Sequence, residues 1–349
     1  LGGALDALAA PSEESEALAR RAGGLAATLE FLAGGADEEM VVWGERKGRS
    51  VRLNASPIDV SGPLREHLFE RLDAAVLTSA TLTVEGSFDF VASRIGIGDA
   101  RTLSLPSPFD LDAQSVLYVP RSIPDPGAPE FAAAALGEIR GLLEITRGRA
   151  FLLFTSFASL HRTREALEGA VDWPLLSQGE APRPVLLERF RTTPHAVLLA
   201  TSSFWQGVDV PGEALSLVLI EKLPFEVPTD PLVAARCESV RRRGGNPFTE
   251  YQVPTAVIDL KQGLGRLLRS RTDRGVLAVL DGRLRSRRYG TTFLRSLPPH
   301  PVVDSLEAVR AFFEPEIDVA ARPLGVENGG EASPPARTRA GAQPRGESA

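Results

Sequence analysis

Three polar side chains, Gln262, Arg266 and Arg269, recur at i, i+4 and i+7 in the run Lys261-Gln262-Gly263-Leu264-Gly265-Arg266-Leu267-Leu268-Arg269. On a helix those positions share one face, and Leu264, Leu267 and Leu268 take the other. Two guanidinium groups one turn apart, beside a side-chain amide, make a fork of N–H donors suited to phosphate oxygens. A glycine inside a helix costs about 1 kcal/mol relative to alanine, so Gly263 and Gly265 predict a close backbone approach. Gly263-Leu264-Gly265 is not a dinucleotide fingerprint, because the third glycine and the strand-to-helix setting are missing. Gly96-Ile97-Gly98 lacks the third glycine as well.

Other chemistries are excluded by residue type. The only lysines are Lys47, Lys222 and Lys261, and none lies in a Gly-x-x-x-x-Gly-Lys-Ser/Thr phosphate loop. His67, His161, His195 and His300 show no metal-ligand spacing, so no metal is expected on this chain. The single cysteine, Cys237, rules out a disulfide framework, a four-cysteine zinc site and an iron–sulfur cluster held by this chain alone. It points to reducing, cytoplasmic surroundings. No run of about 18 apolar residues is present, so no membrane span is expected. A length of 349 residues suggests about two domains, and a start at Leu1 rather than Met suggests a piece of something longer.

The elements that must position these residues follow from periodicity. Residues 1–36 read as a helix or helical hairpin interrupted at Gly23-Gly24, and Met40–Glu45 with Ser50–Asn54 as a β-hairpin. A helix is expected over 63–72, followed by the apolar run Ala74–Leu77, which reads as a buried parallel strand delivering Thr78-Ser79-Ala80-Thr81 to a site. The proline-rich stretch 106–129 reads as a connection around one extended piece, Ser115–Val119. Beyond it, helices at 130–146, 157–169, 253–271 and 286–296 alternate with strands at 149–155, 196–201, 215–221 and 275–280. That alternation predicts a doubly wound α/β domain. From about Pro323 the aperiodic Gly, Pro, Ala, Ser and Arg composition predicts a disordered tail.

Charge is unevenly spread. The net charge is −6, yet residues 236–288 carry a local +8. A segment this basic either grips phosphates or solvates helix faces. Arg241-Arg242-Arg243 in particular fits a solvated loop slightly better than a phosphate-tracking patch.

Gln262-x-x-Gly265-Arg266-x-x-Arg269 followed by Asp273-x-Gly275 resembles motif VI of superfamily-2 helicases, specifically the DinG/XPD family of ATP-dependent DNA helicases. Leu77–Leu82 resembles motif III, Phe151–Ser156 motif IV, and Thr201–Gly212 motif V, with Lys222-Leu223-Pro224-Phe225 and Asp230-Pro231-Leu232 after it. The likeness runs from roughly residue 40 to 297. Gln206 departs from the glutamate common in the family, which removes a carboxylate from motif V.

The resemblance implies two RecA-like domains that sandwich ATP, with Arg266 and Arg269 as arginine fingers on the γ-phosphate and Gln262 beside them. Gly207 would allow close backbone approach, and Asp209 would lie near the nucleotide. Ser79 and Thr81 would couple the nucleotide to the DNA grip, while Thr155, Ser156 and Ser203 would touch the strand; Trp205 is either a base-stacking aromatic or a core residue. The chain lacks the phosphate loop, and Asp37-Glu38-Glu39-Met40 is the nearest sequence to the acidic metal-binding box. ATP with magnesium would therefore be held mainly by an amino-terminal motor domain of the same parent, which would also hold any iron–sulfur cluster. The expected organisation is a helical remnant (1–36), the end of a first motor domain (37–105), a linker (106–129), a complete second motor domain (130–320) and a tail (321–349). The expected partner is single-stranded or forked DNA. The alternative is a non-catalytic single-stranded nucleic-acid-binding α/β module; a nuclease finds no support in the residues present.

Overall fold

The computed structural model describes residues 12–34, 39–201, 204 and 215–314. Strands β1 (Met40–Lys47) and β2 (Ser50–Pro57) form the expected antiparallel hairpin. Gly48, first of the two loop residues, takes φ +60°, the conformation that a tight primed turn gives to glycine.

A strand buried on both faces needs an unbroken apolar run, and the second half of the chain supplies such runs repeatedly. They form β3 (Ser115–Tyr118), β4 (Ala150–Phe154), β5 (Leu175–Ser177), β6 (Val197–Thr201), β7 (Leu217–Ile220), β8 (Gly275–Val279) and β9 (Val302–Val303). These make a seven-stranded sheet in the order β5-β6-β4-β7-β8-β3-β9, parallel at every pairing. Alternate residues divide between two cores. Phe151, Leu153, Val218, Leu277 and Val279 pack under helices Arg183–Thr192 and Val253–Leu264. Leu152, Phe154, Leu219, Val276 and Ala278 pack under helices Phe131–Thr146, Phe157–Leu167 and Leu306–Phe313. The doubly wound α/β expectation is met.

Several local expectations are corrected. Helix Glu13–Ala33 runs through Gly23-Gly24 without a break, starting at Ser12, whose side chain accepts from Ser15 N–H, and stopping before Gly34. The run Ala74–Leu77 is neither a strand nor buried: Val76 is 87% exposed, and no strand among the described residues pairs with it. An apolar run forms a parallel strand only where a neighbouring strand offers its ladder. The helix expected over 63–72 divides into Ser61–His67 and a 3-10 turn at Phe69–Arg71, and that expected over 286–296 into Arg283–Ser286 and Gly290–Ser296. Ser115–Val119 is not part of a loose connection, because β3 lies between β8 and β9 with Val119 fully buried. The expected tail lies outside the described residues. Among the described residues no helix is long and apolar enough to cross a membrane.

Candidate functional site

Helix Val253–Leu264 buries Val253, Ala256, Val257, Leu260 and Leu264 against the sheet and ends four residues after Leu260. Gly265 closes it, its N–H reaching Lys261 O. The expectation that Gln262, Arg266 and Arg269 share a continuous helical face is therefore corrected: Gln262 is in the last turn, and both arginines lie in the loop before β8. Asp273 organises that loop. Its carboxylate accepts the backbone N–H of Arg269 at 2.7 Å and of Ser270 at 2.9 Å, and the Ser270 hydroxyl at 2.6 Å. Burial alone would raise the pKa of this carboxyl, but these hydrogen bonds outweigh it and hold the group below the ordinary range. Gln114 Nε2 donates to Ser270 O and Asp273 O, fixing the loop to the start of β3. Arg266 Nε donates to Gln262 O at 3.1 Å.

A cavity of about 700 Å³ opens here, with Gln262, Arg266 and Arg269 on one wall and Ser79 and Thr81 facing them. The Ser79 and Thr81 hydroxyls lie 3.1 Å apart. Their segment is held by Lys261, whose Nζ donates to Thr83 O at 2.7 Å and Thr83 Oγ1 at 3.1 Å, and by Ser296, whose hydroxyl accepts from Glu85 N–H. Lys261 is 8% exposed, and burial lowers its pKa. A third wall consists of Phe109, Leu111, Leu297, Pro298 and His300.

The structure thus brings together Ser79, Thr81, Gln262, Arg266 and Arg269. Thr155 and Ser156 stand apart, after the carboxyl end of β4, whereas the arginine loop precedes the amino end of β8 in the same parallel sheet. Ser156 caps helix Phe157–Leu167, its Oγ accepting from Ser159 N–H, and Thr155 is exposed. Ser203, Trp205, Gln206, Gly207 and Asp209 lie outside the described residues; Phe204 between them is buried in the core. Arg241 and Arg242 end helix Pro231–Arg242 and pair with Glu238, as solvated residues do. Sequence reasoning missed Lys261, although a lone ammonium in the apolar stripe Val257, Leu260, Leu264 is a readable signal. It also missed Phe109 and His300, which reach the cavity only through the fold.

Residues 139–300 match the model of a helicase C-terminal domain. The ATP-dependent DNA helicase YoaA of Escherichia coli K12 is 45% identical over 269 residues, covering 77% of this chain and 42% of that protein. The ATP-dependent helicase DinG of Mycobacterium tuberculosis H37Ra is 42% identical, covering 79% of this chain and 42% of its own length. A protein named 3'-5' exonuclease DinG from Bacillus subtilis is 39% identical, covering 80% and 32%. The chain therefore spans about two-fifths or less of these relatives. A solved XPD helicase shares the fold at a TM-score of 0.57 and 15% identity, over 80% of this chain and 50% of that one. The chain belongs to the DinG-like helicases, and what it carries over residues 139–300 is a helicase C-terminal domain.

Proposed function

We propose that this chain is the carboxy-terminal part of an ATP-dependent DNA helicase, in which ATP hydrolysis on single-stranded or forked DNA drives translocation and unwinding. The observation that carries the reading is the cavity where Ser79 and Thr81 face Gln262, Arg266 and Arg269. Its donor set suits phosphate oxygens: guanidinium, amide and hydroxyl groups supply N–H and O–H hydrogens along walls that the Lys261 and Asp273 hydrogen bonds hold in place. Phosphoryl transfer is accelerated mainly by positioning and by neutralising charge on the transferred group, which is what Arg266 and Arg269 would do as arginine fingers.

In this reading Ser79 and Thr81 couple the phosphates to the DNA grip. Thr155 and Ser156, at the other edge of the sheet, position the strand by uncharged contacts, with Ser203 and Trp205 alongside. Gly207 and Asp209 belong to the nucleotide side. Residues 37–105 end a first motor domain, 106–129 lead out of it, and 130–320 are the second. Magnesium and the β-phosphate fall to the half of the protein that carries the phosphate loop and acidic box, as does any iron–sulfur cluster.

The 349-residue chain alone is expected to show no DNA-stimulated ATPase. Joined to a phosphate-loop half it is expected to turn over, and Arg266→Glu in that protein should cut turnover by at least about a hundredfold while single-strand binding persists. Turnover by the isolated chain, or by the Arg266→Glu protein, would sink the assignment. Salt-dependent strand binding indifferent to nucleotide would favour the non-catalytic module instead.

A further inference from the structure

The cavity has two chemically different ends. The end at Gln262, Arg266 and Arg269 offers donors, whereas the end at Phe109, Leu111, Pro298 and His300 is apolar apart from one imidazole. A fused or single heteroaromatic ring fits the second end, since Phe109 offers a π-face and a ring has apolar faces with polar edges.

The protonation of His300 follows from its neighbours. Ser115 Oγ lies 3.0 Å from Leu111 O and 2.8 Å from His300 Nδ1. A carbonyl oxygen only accepts, so two oxygens at that separation need the hydroxyl proton between them. Ser115 has no second proton to give, and His300 Nδ1 is therefore the donor toward Ser115 Oγ. Burial keeps the imidazole neutral, with its pKa pushed down to about 4. Nε2 is then a bare lone pair and makes no hydrogen bond among the described residues. An acceptor at this position matches an exocyclic amino group, such as adenine N6–H or cytosine N4–H, and opposes the oxo groups that guanine and uracil present at the equivalent edge.

Building on the phosphate reading above, we propose that the Phe109–His300 end of the cavity takes the base of the bound nucleotide, and that His300 Nε2 selects amino-bearing over oxo-bearing bases.

The test is isothermal titration of the 349-residue chain with tripolyphosphate, ATP, CTP, GTP and UTP at one salt concentration. ATP and CTP are expected to bind about tenfold more tightly than GTP and UTP, the size of one hydrogen bond gained against one buried acceptor left opposed. Phe109→Ala should weaken ATP about tenfold relative to tripolyphosphate, through lost stacking. His300→Phe, which keeps a ring and removes the acceptor, should bring the ATP-to-GTP ratio within about twofold, with tripolyphosphate binding by the same variant reporting that it is folded. Independently of any variant, the imidazole nitrogen resonances of His300 should show the Nδ1–H tautomer. Equal affinities for the four nucleotides with tripolyphosphate still bound, or an Nε2–H tautomer, overturn this inference and leave the phosphate reading standing. No tripolyphosphate binding overturns the phosphate reading and this inference with it.

Discussion

Lys261 shows how much a single residue fixes at this site. Its ammonium is buried on the apolar side of helix Val253–Leu264 and spends two of its three N–H donors on Thr83, directly after the Ser79–Thr81 wall. Burial disfavours the charged form, so the two hydrogen bonds must offset a desolvation cost, and the residue is retained for what it holds rather than for packing. Lys261→Met preserves the stem and removes the donors. Hydrogen bonds from a charged group are worth about 1.5–3 kcal/mol each in favourable cases, and losing the pair should release the 79–84 segment while the helix stays packed. Amide exchange at Thr81 and Val84 is expected to quicken at least about tenfold in the variant, with exchange in β7 and β8 unchanged. Unaltered exchange at Thr81 would show that Lys261 holds nothing.

At the scale of elements, the loop between helix Val253–Leu264 and β8 explains the spacing Asp273-x-Gly275. Asp273 ties the loop by its carboxylate, and Gly275 lets β8 begin directly against the preceding chain. A Cβ on Gly275 would lie 2.5 Å from Ser216 O and 2.8 Å from Leu267 Cδ1, and the first of these is backbone that cannot turn aside. Gly275→Ala is expected to destabilise the chain by about 2–3 kcal/mol in thermal unfolding, and an unchanged melting temperature would refute the close approach. The strands, and with them the α/β class, were legible because a doubly covered parallel sheet writes itself as apolar runs. The helix end was not: the period of Gln262, Arg266 and Arg269 continues past Leu264 in the sequence, and only Gly265 and the competing hydrogen bonds of Asp273 stop it. Helix Pro231–Arg242 was legible in principle, since Asp230 accepts from Leu232 and Val233 N–H and Pro231 opens the first turn. β5 and helix Arg183–Thr192 were hidden by Pro174, Pro182 and Pro184 around them. The motif residues Ser79, Thr81, Arg266 and Arg269 could be named from the sequence, whereas Phe109 and His300 could not, because no local pattern relates residues nearly two hundred positions apart.

For the whole molecule, net charge proved a poor guide, and so did the local +8 of residues 236–288 taken by itself. Much of that positive charge is committed within the fold: Arg283 grips the buried Asp281 at 2.7 Å, Arg287 pairs with Asp125, and Arg241 with Glu238. Apolar exposure is more informative. Val76, Leu103 and Leu105 are 87%, 76% and 76% exposed, and Leu68, Leu72 and Leu77 are also exposed, all between the hairpin and β3. Single exposed apolar residues are ordinary, but this many within one forty-residue stretch mark a surface that another body covers. The arrangement is that expected of the end of a first motor domain whose remaining strands would pair with Ala74–Leu77. Joining the chain to a phosphate-loop half should therefore bury this stretch, while the sheet from β3 to β9 is already complete without it. Two measurements follow. The isolated chain should bind a hydrophobic dye strongly and the joined protein weakly. Amide exchange at 74–77 and 103–105 should slow at least about tenfold on joining, with exchange in β4 and β7 unaffected. Protection confined to the sheet, with 74–77 still exchanging freely in the joined protein, would mean that this apolar run completes nothing and that the first motor domain does not extend into this chain.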